Sequence, residues 1–85
     1  MKGVNSKEIL TERDQNGFQV LHQGVVGGNQ DVVELLVNAG ADINARTHGG
    51  YGETPLRMAE KLYGNLHPLV EYLKQRGALS IGPEL

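Results

Sequence analysis

Three histidines, two serines and one glycine-rich run are the residues of this chain whose types suit chemistry. His22, His48 and His67 fall in three different segments, and none has a partner at the i, i+4 or Cys-x-x-Cys spacing that a metal site needs. Ser6 and Ser80, the serines of the chain, lie near its ends, and neither stands in the Gly-x-Ser-x-Gly setting of a nucleophile elbow. His48-Gly49-Gly50 has the glycines of an oxyanion loop with no nucleophile to use them. Gly49-Gly50-Tyr51-Gly52 precedes Thr54 as a phosphate cradle would, but lacks the lysine of a phosphate-binding loop. The expectation is a non-enzymatic chain with no metal and no cofactor.

The elements that carry these residues are short and punctuated by glycine. Asp14-Gln15-Asn16-Gly17 is a turn, since Asp accepts from the backbone ahead and Asn-Gly tolerates positive φ. Val20-Leu21 and Val25-Val26 predict a helix to about Val26, broken at Gly27-Gly28. Gly24 leaves room for close helix packing, at a cost of about 1 kcal/mol in helix propensity against Ala. Asn29 caps a second helix, with Asp31 in its first turn. Val32, Leu35 and Leu36 form the predicted apolar face of that helix, which runs to Asn38 or Ala39 and stops at Gly40.

A weaker copy of this unit follows. Thr54-Pro55-Leu56 stands where Gln19-Val20-Leu21 stood, and Leu56 follows Leu21 by 35 residues while Gly77 follows Gly40 by 37. Thr54 as cap and Pro55 at the first helical position start the helix, and Leu56, Ala59 and Leu62 form its predicted apolar face. His67-Pro68 delays the partner helix, in which Leu69, Val70, Tyr72 and Leu73 pack before Gly77. Upstream, Asn5 or Ser6 caps a short helix over about 6–12, with Glu8 completing a capping box.

A period of this size marks stacked repeats. The segment Asp14 to Arg46 resembles the ankyrin repeat, D-x-x-G-x-T-P-L-H-x-A-A-x-x-G-x-x-x-V-V-x-L-L-L-x-x-G-A-D-x-N-A. It matches at Asp14, Gly17, Leu21, His22, Gly28, Val32, Val33, Leu35, Leu36, Gly40, Ala41, Asp42, Asn44 and Ala45. Over Asp14 to Ala78 the resemblance extends through 65 of the 85 residues. It implies an all-α repeat solenoid of helix-turn-helix pairs with one projecting, β-hairpin-like finger. The expected division of a single domain, 1–85, is a capping helix at 5–13, repeats at 14–46 and 47–78, and a terminating tail at 79–85.

Two departures stand out. Thr and His of T-P-L-H, which tie neighbouring repeats together in the family, are split here: His22 occurs without the Thr, and Thr54 with Arg57 in place of the His. That puts the inter-repeat network in question. Asn44 to Thr54 is ten residues against eight in the family pattern, so the finger is longer and carries Tyr51. Within it Ile43 is expected to point to the core and Asn44 to fix the turn.

The resemblance implies protein–protein interaction, as an adaptor or scaffold, through a concave surface of finger and inner helices. Its positions here are Gln15, Asn16, Phe18, Val26, Arg46, His48, Tyr51, Glu53, Arg57 and Lys61. Phe18, just past the turn glycine, is expected to face solvent as an anchor, or else to fold against the finger or Tyr51. Leu36 with Asp42-Ile43-Asn44 resembles the motif of an asparaginyl hydroxylase that acts on ankyrin repeats, which makes Asn44 a candidate for modification. The alternative reading is a terminal cap or regulatory segment of a larger, even enzymatic, protein.

Composition narrows the partners. A formal charge of −2 and a pI near 5.8 argue against a general nucleic-acid or anionic-membrane surface. Without cysteine there is no disulfide framework. With no signal-like stretch near Met1 and no membrane-length apolar run, an intracellular (cytoplasmic or nuclear) location is expected. The expected state is a monomer or part of a longer chain.

Overall fold

The computed structural model describes residues 6–83. The capping role expected for Asn5 lies outside the described residues. Helix α1 (Ser6–Thr11) is followed by α2 (Val20–Gly27), α3 (Gln30–Asn38), α4 (Pro55–Tyr63) and α5 (Pro68–Gln75), with one 3-10 turn at His48–Gly50. Among the described residues there is no strand. Inner helices α2 and α4 pack side by side, α3 backs α2 and α5 backs α4, and α1 covers the other flank of α2. This is the stacked helix-pair architecture that the resemblance implies.

The helix ends follow from local chemistry. Asn29 Oδ1 accepts from Val32 N at 3.2 Å and opens α3. Thr54 Oγ1 accepts from Arg57 N at 3.4 Å ahead of Pro55, and His67 Nδ1 accepts from Leu69 N at 3.1 Å ahead of Pro68. Each bond satisfies an amide that the first turn of a helix leaves without an intrahelical acceptor. Gly28 closes α2 in the left-handed region at φ 69°, where a side chain would also meet the Tyr63 hydroxyl.

Leu21, Val25, Val33, Ala59, Leu69, Val70 and Leu73 are fully buried between the helices. The phase of α3 differs from the expected one. Val33 faces the core with Leu36 and Val37 packed beside it, while Val32 and Leu35 are 39% and 68% exposed. Gly24 lets α3 approach closely, since a Cβ there would lie 3.3 Å from Val33, 3.5 Å from Leu36 and 3.6 Å from Val32. The bare backbone of α2 is the groove into which these α3 side chains fit. On α4, Leu56 and Ala59 are buried as expected, but Leu62 is 52% exposed and Met58 takes a buried place.

The finger is closed by Thr47. Thr47 N donates to Glu53 O at 3.0 Å and Gly52 N to Thr47 O at 2.9 Å, a hairpin-like closure without strands. Thr47 Oγ1, 1% exposed, also accepts from Glu53 N at 2.9 Å. His48 N donates to Gly17 O at 3.2 Å, docking the extended tip on the first turn. Asn44 does not fix the finger turn as expected. Asp42 Oδ1 accepts from Asn44 N at 2.9 Å, which makes Asp42 the turn residue, and Asn44 Oδ1 reaches across to Leu79 N at 2.8 Å.

The inter-repeat network is intact in spite of its split motif. His22 Nε2 donates to Ala45 O at 3.0 Å and Glu53 O at 3.1 Å, while Nδ1 accepts from Gln19 N at 3.1 Å. Two carbonyls on one nitrogen and an N–H on the other require the neutral Nε2–H tautomer. Thr54 does the corresponding work one repeat later: Oγ1 donates to Leu79 O at 2.6 Å and Thr54 N donates to Ile81 O at 3.0 Å. Each surviving half of the motif therefore holds the segment that follows its own repeat, His22 the finger and Thr54 the tail.

Candidate concave binding site

Between α2 and α4 the inner face sinks into a depression of about 210 Å³ lined by Phe18, Val26, Glu53, Met58, Lys61 and Leu62. Its walls come from two repeats. Phe18 enters from the turn before α2 and Val26 from the last turn of α2, while Met58 and Leu62 are one helical turn apart on α4. That i, i+4 spacing places both on one face. A polar border runs beside them, where Lys61 Nζ meets Glu53 Oε1 at 3.0 Å. The Lys61 side chain is 56% exposed and that of Glu53 17%, so the pair lies at the rim and contributes little to stability.

Phe18 does not stand free in solvent, and its ring neighbour is His22, not Tyr51. It is half-buried against the core, its ring 5.7 Å from that of His22. One face of the ring thus supports the network histidine and the remainder lines the depression. His22 is held below the ordinary histidine pKa, chiefly by burial. The Arg13 charge adds to this, while the Glu53 and Ala45 carbonyls and the Glu53 carboxylate oppose it. Asp14 is held below the usual carboxylate range chiefly by the Phe18 amide, against a desolvation cost, with Asn16 N and Gln23 also donating to it.

The ten sequence-designated positions divide into groups. Phe18, Val26, Glu53 and Lys61 come together at the depression. Gln15 and Asn16 are exposed on the first turn, and His48 and Tyr51 at the finger tip, with Tyr51 64% exposed. Arg57 is exposed on α4 one turn before Lys61. Arg46 is instead structural: Nε donates to Gly52 O at 3.0 Å and one terminal nitrogen to Gly82 O at 3.0 Å, which ties finger to tail. Arg13, which no local motif singles out, donates to Gly17 O and Arg46 O at 2.7 and 2.6 Å. Met58 and Leu62 were also missed as site residues, and their i, i+4 apolar pairing beside Arg57 and Lys61 was the available signal. Asn44, the modification candidate, is half-buried with its amide oxygen engaged by Leu79.

No helix among the described residues is long and apolar enough to cross a membrane. The sequence model of the family described as ankyrin repeats (many copies) matches residues 21–73. An ankyrin repeat-containing protein of Schizosaccharomyces pombe is 45% identical over 62 residues, 73% of this chain and 29% of that protein. Human protein phosphatase 1 regulatory subunit 27 is 46% identical over 53 residues, 62% of this chain and 33% of its own length. The NF-kappa-B inhibitor cactus of Drosophila melanogaster is 42% identical over 50 residues, 59% of this chain and 10% of its own length. The matched stretch thus spans a third or less of each of these relatives.

Proposed function

The chain belongs to the ankyrin-repeat family, and from that premise we propose that it binds a partner protein through the depression between α2 and α4. Ankyrin repeats are in general protein-interaction modules, and two of the relatives are by name a regulatory subunit and an inhibitor. The observation that carries the reading is the exposure of apolar surface where a core residue was expected. Leu62 is 52% and Val26 49% exposed, on facing inner helices across one depression. Contiguous exposed apolar surface with a polar rim is the usual mark of an interaction site. The chain's role is then that of an adaptor, with the helix pairs as a rigid platform and the finger tip, Tyr51 and His48, at its edge.

A second reading is that this unit ends or regulates a longer stack, and the uncovered outer flank of α3 favours it. Leu35 and Val32 are exposed there, and the matched relatives are all much longer than the match. A photo-crosslinking residue placed at position 62 and, separately, at position 35 separates the readings in lysate of the source cells. Capture of a protein at 62 and not at 35 is the expected result. Capture at 35 alone overturns the groove assignment and moves the stacking reading forward.

A further inference from the structure

The charge around the depression is unevenly partnered. The carboxylates nearest the inner face are already engaged: Glu53 with Lys61, Glu60 with the Ser80 hydroxyl, and Asp14 with its own turn and Gln23. Of the cations, Arg13 and Arg46 bind backbone carbonyls. The Arg57 side chain has no hydrogen bond or ion pair among the described residues and is exposed, its backbone N–H alone being engaged by Thr54. Its guanidinium lies over Gly82 of the tail, within ordinary contact distance of where a Cβ would stand. Arg57 and Lys61 are one turn apart on α4, and Met58 and Leu62 are the adjacent stripe of the same helix. The Lys61 ammonium thus stands at the rim of the apolar depression. The Arg57 guanidinium, unpartnered among the described residues, lies outside its lining, one turn along α4 and over Gly82 of the tail, in a chain whose formal charge is −2. The acids Asp31, Glu34 and Glu71 lie on α3 and α5, the outer helices.

Size bears on the occupant as well. An apolar cavity of about 150 Å³ holds a benzene ring, so an open depression of about 210 Å³ takes one bulky aliphatic or aromatic side chain and not a whole helix face.

We infer that the partner is an acidic protein segment that seats a single bulky apolar side chain between Phe18, Val26, Met58 and Leu62 and sets a neighbouring carboxylate on Arg57. The inference rests on the groove reading above and adds to it the chemistry of the ligand. Arg57 is suited to this role, because a guanidinium receives a carboxylate through two parallel N–H···O bonds. The Lys61–Glu53 pair, neutral as a whole, forms the polar side of the groove. Charge complementarity of this kind sets specificity and association rate more than affinity, and salt weakens it.

The test is selection of displayed random peptides on the purified chain, followed by affinity measurement of the selected peptides against Arg57→Glu and Leu62→Lys variants. Both positions are exposed, and circular dichroism verifies that both variants fold. The expected peptides carry Asp or Glu close to one bulky apolar residue. They weaken about tenfold or more against either variant, and a peptide with that acid changed to Lys regains affinity for Arg57→Glu. Peptides without acidic enrichment that lose binding to Leu62→Lys but not to Arg57→Glu would overturn the inference while sparing the groove. Failure to select any peptide, or peptides indifferent to both variants, would overturn the groove reading itself.

Discussion

Acidification loosens this stack through His22. The imidazole is fully buried, with Nε2–H shared by the carbonyls of Ala45 and Glu53 and Nδ1 accepting from Gln19 N. Protonation would place a hydrogen on Nδ1 against the Gln19 N–H and a charge among apolar side chains. Burial accordingly lowers the folded-state pKa below the ordinary 6.5. The unfolded chain takes up its proton near the ordinary value, so between the two pKa values the unfolded state binds more protons and stability falls as pH falls. The stabilisation is complete above about pH 6.5 and declines by at most about 1.4 kcal/mol per pH unit, down to the folded pKa. Between about pH 7.5 and 5.5 the loss is therefore at most about 1.4 kcal/mol, against about 4–13 kcal/mol for a domain of this length. Asp14 does not interfere, because its pKa is lowered from 3.8 and its effect falls in more acidic solution. Urea unfolding followed by circular dichroism, at both pH values, in wild type and in His22→Gln, isolates the term. The wild type should lose stability on acidification and the variant much less. Equal pH slopes in the two proteins, or a wild type that gains stability, would refute the reasoning.

Other perturbations probe the remaining ties. Tyr63→Phe removes a hydroxyl 2.6 Å from Val25 O and 3.0 Å from Val26 O, and should lower the unfolding free energy by about 1 kcal/mol with an unchanged denaturant slope. Gln19→Thr should raise the melting temperature by several degrees, about 4–8 °C for each kcal/mol at this size: Gln19 Oε1 is buried without a partner among the described residues, whereas Thr54 at the equivalent position caps α4 and holds the tail. Gly52→Ala sets a Cβ against Thr47 Oγ1. It should open the finger clasp, read as accelerated amide exchange at Glu53 and Thr47 and a loss of about 1–3 kcal/mol.

Punctuation was legible in the sequence because each signal is local. Asn29, Thr54-Pro55 and His67-Pro68 start helices where their side chains and rings suit an N-terminus, and Gly28, Gly40 and Gly77 take positive φ at the ends. The rotation of a helix about its axis was less accessible. Val32-Val33 and Leu35-Leu36-Val37 offer two overlapping apolar stripes on α3, and which one is buried is set by how the helix packs on the core, not by the local pattern. The same ambiguity put Leu62 in the predicted core, so half of the apolar floor of the site was hidden. Tail docking was equally invisible, because Leu79 and Ile81 are held through backbone atoms whose positions no side-chain pattern announces.

The most direct test of the central claim, that the inner face between α2 and α4 is the binding surface, is backbone amide chemical-shift mapping of the labelled chain titrated with a selected peptide ligand. The account predicts that the largest shifts cluster at Phe18, Val26, Met58, Lys61 and Leu62 and leave α3 and α5 nearly still. Shifts concentrated at Val32 and Leu35 on the outer flank, with the depression unperturbed, would contradict it.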